Sequence, residues 1–87
     1  LKVERKAVKT PQEEQGDHIT AKRAQEIAIE HAKLTASEVV MEKIELDFDD
    51  GIYVYEVEFV SGGYEYEYKI NAKTGEILES EKEPIED

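Results

Sequence analysis

The densest run of cation-ligating side chains is Asp47-Phe48-Asp49-Asp50-Gly51. Carboxylates spaced one residue apart can converge on a divalent cation when the backbone coils around it, as in the EF-hand pattern D-x-[DN]-x-[DN]-G. Here Gly51 arrives one position early, so the run reads as a hairpin turn, with a low-affinity cation contact as the alternative. Two imidazoles are available as bases or metal ligands, His18 and His31. His31 falls on the apolar side of a helical repeat. There it is expected to bond a backbone or Tyr group at the core or its rim, with a ligand or base role as the alternative. His18 has no companion in the sequence. There is no Cys, and Ser37, Ser61 and Ser80 fall in expected turns or an edge strand without a nucleophile elbow around them. No catalytic, cofactor-binding or metal-ligating residue is therefore assigned, no cofactor is implied, and an enzyme is not expected.

The five tyrosines have the composition of a ligand-stacking site. Their spacing points instead to sheet packing, because Tyr53 and Tyr55, then Tyr64, Tyr66 and Tyr68, recur every second residue. A Tyr serves where Phe would if its hydroxyl can reach the rim of the core.

The elements that position these residues follow from periodicity. Thr20 is a helix N-cap candidate, with Ile19 placed to staple onto Ala24. Ala24, Ile27, Ala28, His31 and Leu34 form one apolar stripe at helical spacing. Thr35-Ala36-Ser37-Glu38 repeats the capping-box pattern and predicts a short extra helical turn before the first strand. From Val39 onward the period changes to two. Ile44, Leu46 and Phe48 alternate with charge up to Asp50-Gly51, a two-residue hairpin signal. Tyr53 to Phe59 and Tyr64 to Ile70 flank a second such turn at Gly62-Gly63. Asn71 to Gly75 is a longer turn, in which Asn71 can bond back and Gly75 can take positive φ. A short last strand is expected from Glu76 to about Glu81. A four-residue loop puts Ile77 on the core face, a five-residue loop puts Leu78 there, and a bulge uses both.

The two hairpin turns predict mutually consistent registers. Asp50-Gly51 sets Phe48 against Tyr53, Leu46 against Tyr55 and Ile44 against Val57. Gly62-Gly63 sets Phe59 against Tyr66, Val57 against Tyr68 and Tyr55 against Ile70. All these side chains share one face, and a slip of one residue would invert it. The expected fold is α+β: one helix packed on one face of a four-stranded antiparallel meander, in the order α-β-β-β-β. The same registers oppose Glu45 to Glu56 and Glu58 to Glu67 on the other face, with Lys43 opposite Glu58 and Lys69 opposite Glu56. Glu45, Glu56, Glu58, Glu67, Lys43 and Lys69 are thus the candidate partner-binding face. The alternatives are a face kept charged for solubility and a weak divalent-cation site. Met41, Val54 and Val60 are expected on this face too.

Charge sharpens that expectation. The chain has 87 residues, 22 acidic against 11 basic side chains, and a net charge of −11. Residues 1–18 sum to zero, so the whole excess lies in 19–87. Clustered Lys/Arg for nucleic acid is missing, docking on anionic lipid is disfavoured, and no apolar run approaches a membrane span. Residues 1–18 read as a linker or the tail of a preceding segment, with Leu1, Val3 and Ala7 as a loose edge-strand pattern. Residues 19–82 form the domain, and 83–87 a frayed acidic tail. The chain begins at Leu1 rather than Met and is expected to be a piece of a larger protein. Oligomeric state is not readable from the sequence.

Three stretches stand out in order: Ile19-Thr20, Ala24-x-x-Ile27-Ala28 and His31-Ala32 on the helix, then Asp49-Asp50-Gly51-Ile52-Tyr53-Val54-Tyr55-Glu56-Val57-Glu58-Phe59, then Tyr66-Glu67-Tyr68-Lys69-Ile70-Asn71-Ala72-Lys73-Thr74-Gly75-Glu76-Ile77-Leu78. On these residues the span 19–81 resembles the PepSY domain family. The pattern departs from the family at Asn71, where Asp is usual. The resemblance implies a non-catalytic module outside the cytoplasm, secreted or anchored in the cell envelope. It also implies a peptidase or another envelope protein as the partner, with inhibition or regulation of the peptidase as the role. A structural spacer domain is the alternative.

Overall fold

In the computed structural model, which describes residues 18–86, the change of period at Val39 separates a helix from a sheet. Helix α1 spans Ala21–His31. A 3₁₀ turn at Ala36–Glu38 leads into strands β1 (Val40–Asp49), β2 (Ile52–Ser61), β3 (Tyr64–Asn71) and β4 (Ile77–Pro84). The strands form one antiparallel sheet in the order β1-β2-β3-β4. The expected α-β-β-β-β meander is therefore the observed fold. The linker and edge-strand expectations for residues 1–17 lie outside the described residues.

Both ends of α1 are closed by local chemistry. The Thr20 hydroxyl accepts from the Arg23 amide at 3.0 Å, satisfying one of the free N–H groups of the first turn. At the other end Lys33 takes φ 63°. Its amide bonds the Glu30 carbonyl at 2.9 Å, and the Leu34 amide bonds that of Ile29 at 3.1 Å. This is a Schellman closure built on Lys rather than Gly. The Thr35 amide donates to the Glu38 carboxylate at 2.8 Å, as the capping-box pattern predicted.

All six apolar pairings expected across the two hairpins are present. The Asp50-Gly51 turn has positive φ at both residues, 53° and 85°, as a two-residue turn matched to strand twist requires. Ala24, Ala28 and Ile29 of the helix pack on Tyr55, Val57, Phe59, Tyr66, Tyr68 and Ile70. Phe59 lies near-parallel to Tyr66, with centroids 5.0 Å apart. The two small alanines let α1 lie close to β1 and β2. The Asn71 carboxamide accepts from the Lys73 and Thr74 amides at 2.8 and 3.2 Å, fixing the last turn. Gly75 there has φ +82°, and a Cβ on it would stand 3.2 Å from Ile27 Cδ1.

Three expectations are corrected. Ile29, outside the predicted stripe, is buried, while His31 within it is exposed. The helix docks on the face centred on Ala24 and Ala28, which turns His31 to the rim. Met41 faces the core rather than the outer face. The register shifts between Met41 and Lys43, so Glu42 is an extra residue that reverses the alternation. The last strand runs to Pro84 rather than to about Glu81, and the Ile85 amide still bonds the Gly63 carbonyl at 2.9 Å. Residues Glu83 and Pro84 are thus paired strand rather than frayed tail. Proline is tolerated at this position because β4 is an edge strand.

Candidate interaction surface

The outer sheet face is built by alternation, because every residue between two core-facing positions must point away from the helix. On β1 these are Lys43, Glu45, Asp47 and Asp49, and on β2 Val54, Glu56 and Glu58. On β3 they are Glu65, Glu67 and Lys69. All four opposed pairs expected from the sequence are present: Glu45 with Glu56, Glu58 with Glu67, Lys43 with Glu58, and Lys69 with Glu56. β4 adds a row the sequence reading missed, Glu79, Glu81 and Glu83, opposite Lys69, Glu67 and Glu65. The strict alternation of these three acids was the available signal. The length of the turn before them decides their face, and the structure makes Leu78 the extra residue between Ile77 and Glu79. Across the four strands this face carries ten carboxylates and two ammonium groups.

The two lysines hold it together differently. Lys43 Nζ lies 2.9 Å from Glu56, 3.6 Å from Glu45 and 3.8 Å from Glu58. The hydrogen bond to Glu56, reinforced by the charges of Glu56, Glu45 and Glu58, raises its pKa against the opposing effect of burial. Lys69 does not bond its cross-strand neighbour Glu56. It reaches diagonally to Asp49 at 2.9 Å, and that bond raises its pKa. The register places Val54 on the intervening strand between Lys69 and Asp49, and Val54 is 1% exposed.

Toward the far side this relief thins: Glu58 is 3.8 Å from Lys43 Nζ, and among the described residues Glu65 and Glu67 have no ion pair. One carboxylate oxygen each of Glu58, Glu65 and Glu67 lies within 4.8 Å of the others. The pKa of Glu67 is raised, first by burial and then by Glu58, Glu65, Glu81 and Glu83. An open cleft of about 200 Å³ runs beside it, lined by Glu56, Glu58, Glu67, Lys69, Glu79 and Glu81. Chemically, such a surface attracts cations or a basic protein surface and repels anions.

The other candidates sit elsewhere. His31 Nδ1 is 3.1 Å from the Tyr68 hydroxyl with the rings edge to face, the rim-histidine arrangement expected. Burial raises the Tyr68 pKa. His18 packs on the Tyr53 ring, centroids 5.0 Å apart, a partner the sequence reading did not find. The Tyr55 hydroxyl donates to the Ile19 carbonyl at 2.9 Å, and so anchors the entry to the helix. In the Asp-rich hairpin Asp47 accepts from the Phe48 amide and Asp49 pairs with Lys69. Those acids are thus engaged separately rather than gathered around one point. The Ser61 hydroxyl donates to the Glu38 carbonyl at 2.7 Å.

Comparison with known proteins places this architecture. The family model for the peptidase propeptide and YPEB domain, PepSY, matches residues 19–81. The uncharacterized protein Spy1430 of Streptococcus pyogenes serotype M6 is 37% identical over 79 residues, covering 91% of this chain and 61% of its own length. The uncharacterized protein YkoJ of Bacillus subtilis strain 168 is 36% identical over 80 residues, covering 88% of this chain and 44% of its own. The crystal structure of a "putative lipoprotein" from Clostridium difficile 630 superposes with a TM-score of 0.64 at 27% identity. That match covers 80% of this chain and 43% of the other. The chain thus spans less than two thirds of each of these relatives. Among the described residues no helix is long and apolar enough to cross a membrane.

Proposed function

The chain belongs to the PepSY family, and from that premise we propose that it is a non-catalytic, extracytoplasmic interaction module that docks on a peptidase through its acidic sheet face and regulates it. The observation that carries this reading is the outer face itself: ten carboxylates against two lysines, continuous over four strands. A face meant only for solubility gains little from setting Glu58 directly against Glu67, where like charges oppose each other and destabilise the sheet. A basic partner surface converts that repulsion into attraction and speeds encounter. The family description names peptidase propeptides, and the lipoprotein neighbour supports a position outside the cytoplasm.

The test is the rate of a peptidase encoded beside the parent gene, with and without the domain. A dose-dependent, salt-sensitive fall in rate is expected, weakened about tenfold or more when Glu56, Glu58 and Glu67 are changed to Gln. Absence of both binding and a rate change would remove the regulatory role. A spacer in an envelope-anchored protein is the second reading, favoured by relatives that extend well beyond this domain. The Glu58–Glu65–Glu67 group also fits a weak divalent-cation contact. A calcium titration that moves no resonance of these three residues would exclude it.

A further inference from the structure

The two edge strands differ in what they offer a fifth strand. Beyond Ile77, which packs on the core, the helix-side positions of β4 carry Ser80, Lys82 and Pro84, with Lys82 Nζ held 4.4 Å over the Tyr64 ring. Those of β1 carry Ile44, Leu46 and Phe48. Leu46 and Phe48 are 44% and 60% exposed, and Phe48 meets Tyr53, itself 46% exposed, edge to face. Among the described residues, an apolar row therefore runs to the edge of the sheet on the helix side and stops without a neighbouring strand.

The backbone at this edge has a defined polarity. The Phe48 amide donates to the Asp47 side chain at 2.9 Å. Its N–H thus points off the sheet rather than into the β1–β2 ladder, and alternation gives Leu46 and Ile44 the same orientation. The residues that present free-edge main chain are the ones with apolar side chains. Between them Glu45, Asp47 and Asp49 line the outer side of the same strand, with Lys43 drawn inward to Glu56.

We infer that β1 is a β-augmentation site for an extended segment of a partner protein that alternates apolar residues with Lys or Arg. Such a segment pairs its main chain with Ile44, Leu46 and Phe48. Its apolar side chains extend the row on the helix side, and its basic side chains meet Glu45, Asp47 and Asp49. A lysine placed opposite Asp47 also draws that carboxylate away from the Phe48 amide and frees the donor. A second copy of this chain fits badly, because pairing β1 with β1 brings its acidic row against itself. This site shares Glu45, Asp47 and Asp49 with the acidic sheet face but is centred on the free main chain and apolar row of β1 rather than on Glu58, Glu65 and Glu67, and the inference stands whether or not the partner is a peptidase.

The test is an NMR titration of the isotope-labelled 87-residue chain with a short acetylated peptide alternating Val or Phe with Lys. Saturable amide shifts confined to Ile44–Asp49 and its β2 neighbours are expected. A peptide of the same composition with its lysines grouped should bind about tenfold more weakly or worse. So should a peptide N-methylated on its bonding edge. Leu46→Lys and Phe48→Lys, both at exposed positions and checked for retained spectral dispersion, should each weaken binding by about tenfold or more. Ser80→Lys on β4 should leave it unchanged. Equal binding of the grouped or N-methylated peptide, shifts centred on β4 or on Glu65 and Glu67, or no saturable shift would overturn the assignment. Concentration-dependent shifts of the same β1 amides without peptide would instead make a second copy the occupant, which also overturns it.

Discussion

The two faces of one sheet use the same strands for opposite ends. On the helix side, Phe59, Val57 and Ile70 are fully buried and neighbouring rings stack. On the other side, acids face acids and are held by two lysines. The first face carries most of the stability, since burying a large apolar side chain is worth about 1.5–3 kcal/mol whereas an exposed ion pair is worth about 0–1 kcal/mol. The outer face is accordingly free to serve a purpose other than folding.

Substitutions on each side measure that asymmetry. Phe59→Ala should have the largest effect, about 3–5 kcal/mol lost in denaturant unfolding. It removes the ring that stacks on Tyr66 and Tyr68, and in a small domain that loss approaches the whole stability. Gly75→Ala should cost about 1–2 kcal/mol, because its positive φ strains any L side chain and Ile27 must give way. Lys43→Gln leaves Glu45, Glu56 and Glu58 without their shared cation. After solvent screening the loss should be about 0.5–1 kcal/mol, and it should shrink as salt rises.

Glu67→Gln should act in the opposite sense and least, raising stability by about 0.2–0.5 kcal/mol, because it removes the focus of repulsion. It should also change the pH profile. The folded-state pKa of Glu67 is raised, so the folded protein holds that proton more tightly than the unfolded chain does. Its contribution is fully present below the ordinary carboxylate pKa and is lost as pH rises through the elevated one. Unfolding measured across that window should show a fall in stability with rising pH that Glu67→Gln abolishes. If it persists unchanged, the crowding of acids on this face is energetically neutral.

The candidate face was largely legible because it follows from the core. Once Asp50-Gly51 and Gly62-Gly63 fix the registers that bury Tyr55, Val57 and Phe59, the outward positions of Glu45, Glu56, Glu58 and Glu67 are determined. Strand alternation and two-residue turns are local, so the sequence by itself settled both hairpins and the sign of the outer face. The tertiary structure decided whatever depends on one inserted residue or one long side chain. Glu42 and Leu78 are each an extra residue in a ladder; the first sends Met41 into the core, and the second brings Glu79, Glu81 and Glu83 onto the acidic face. Lysine can reach several carboxylates with similar cost, so only the assembled sheet gave Lys69 to Asp49 and made Lys43 the shared partner of three acids. The way the alanine face of α1 seats on the sheet chose Ile29 over His31 and, among the described residues, leaves Leu46 and Phe48 exposed. Periodicity carries no term for where a helix ends relative to the sheet, because that is set by the sum of contacts between elements far apart in the chain.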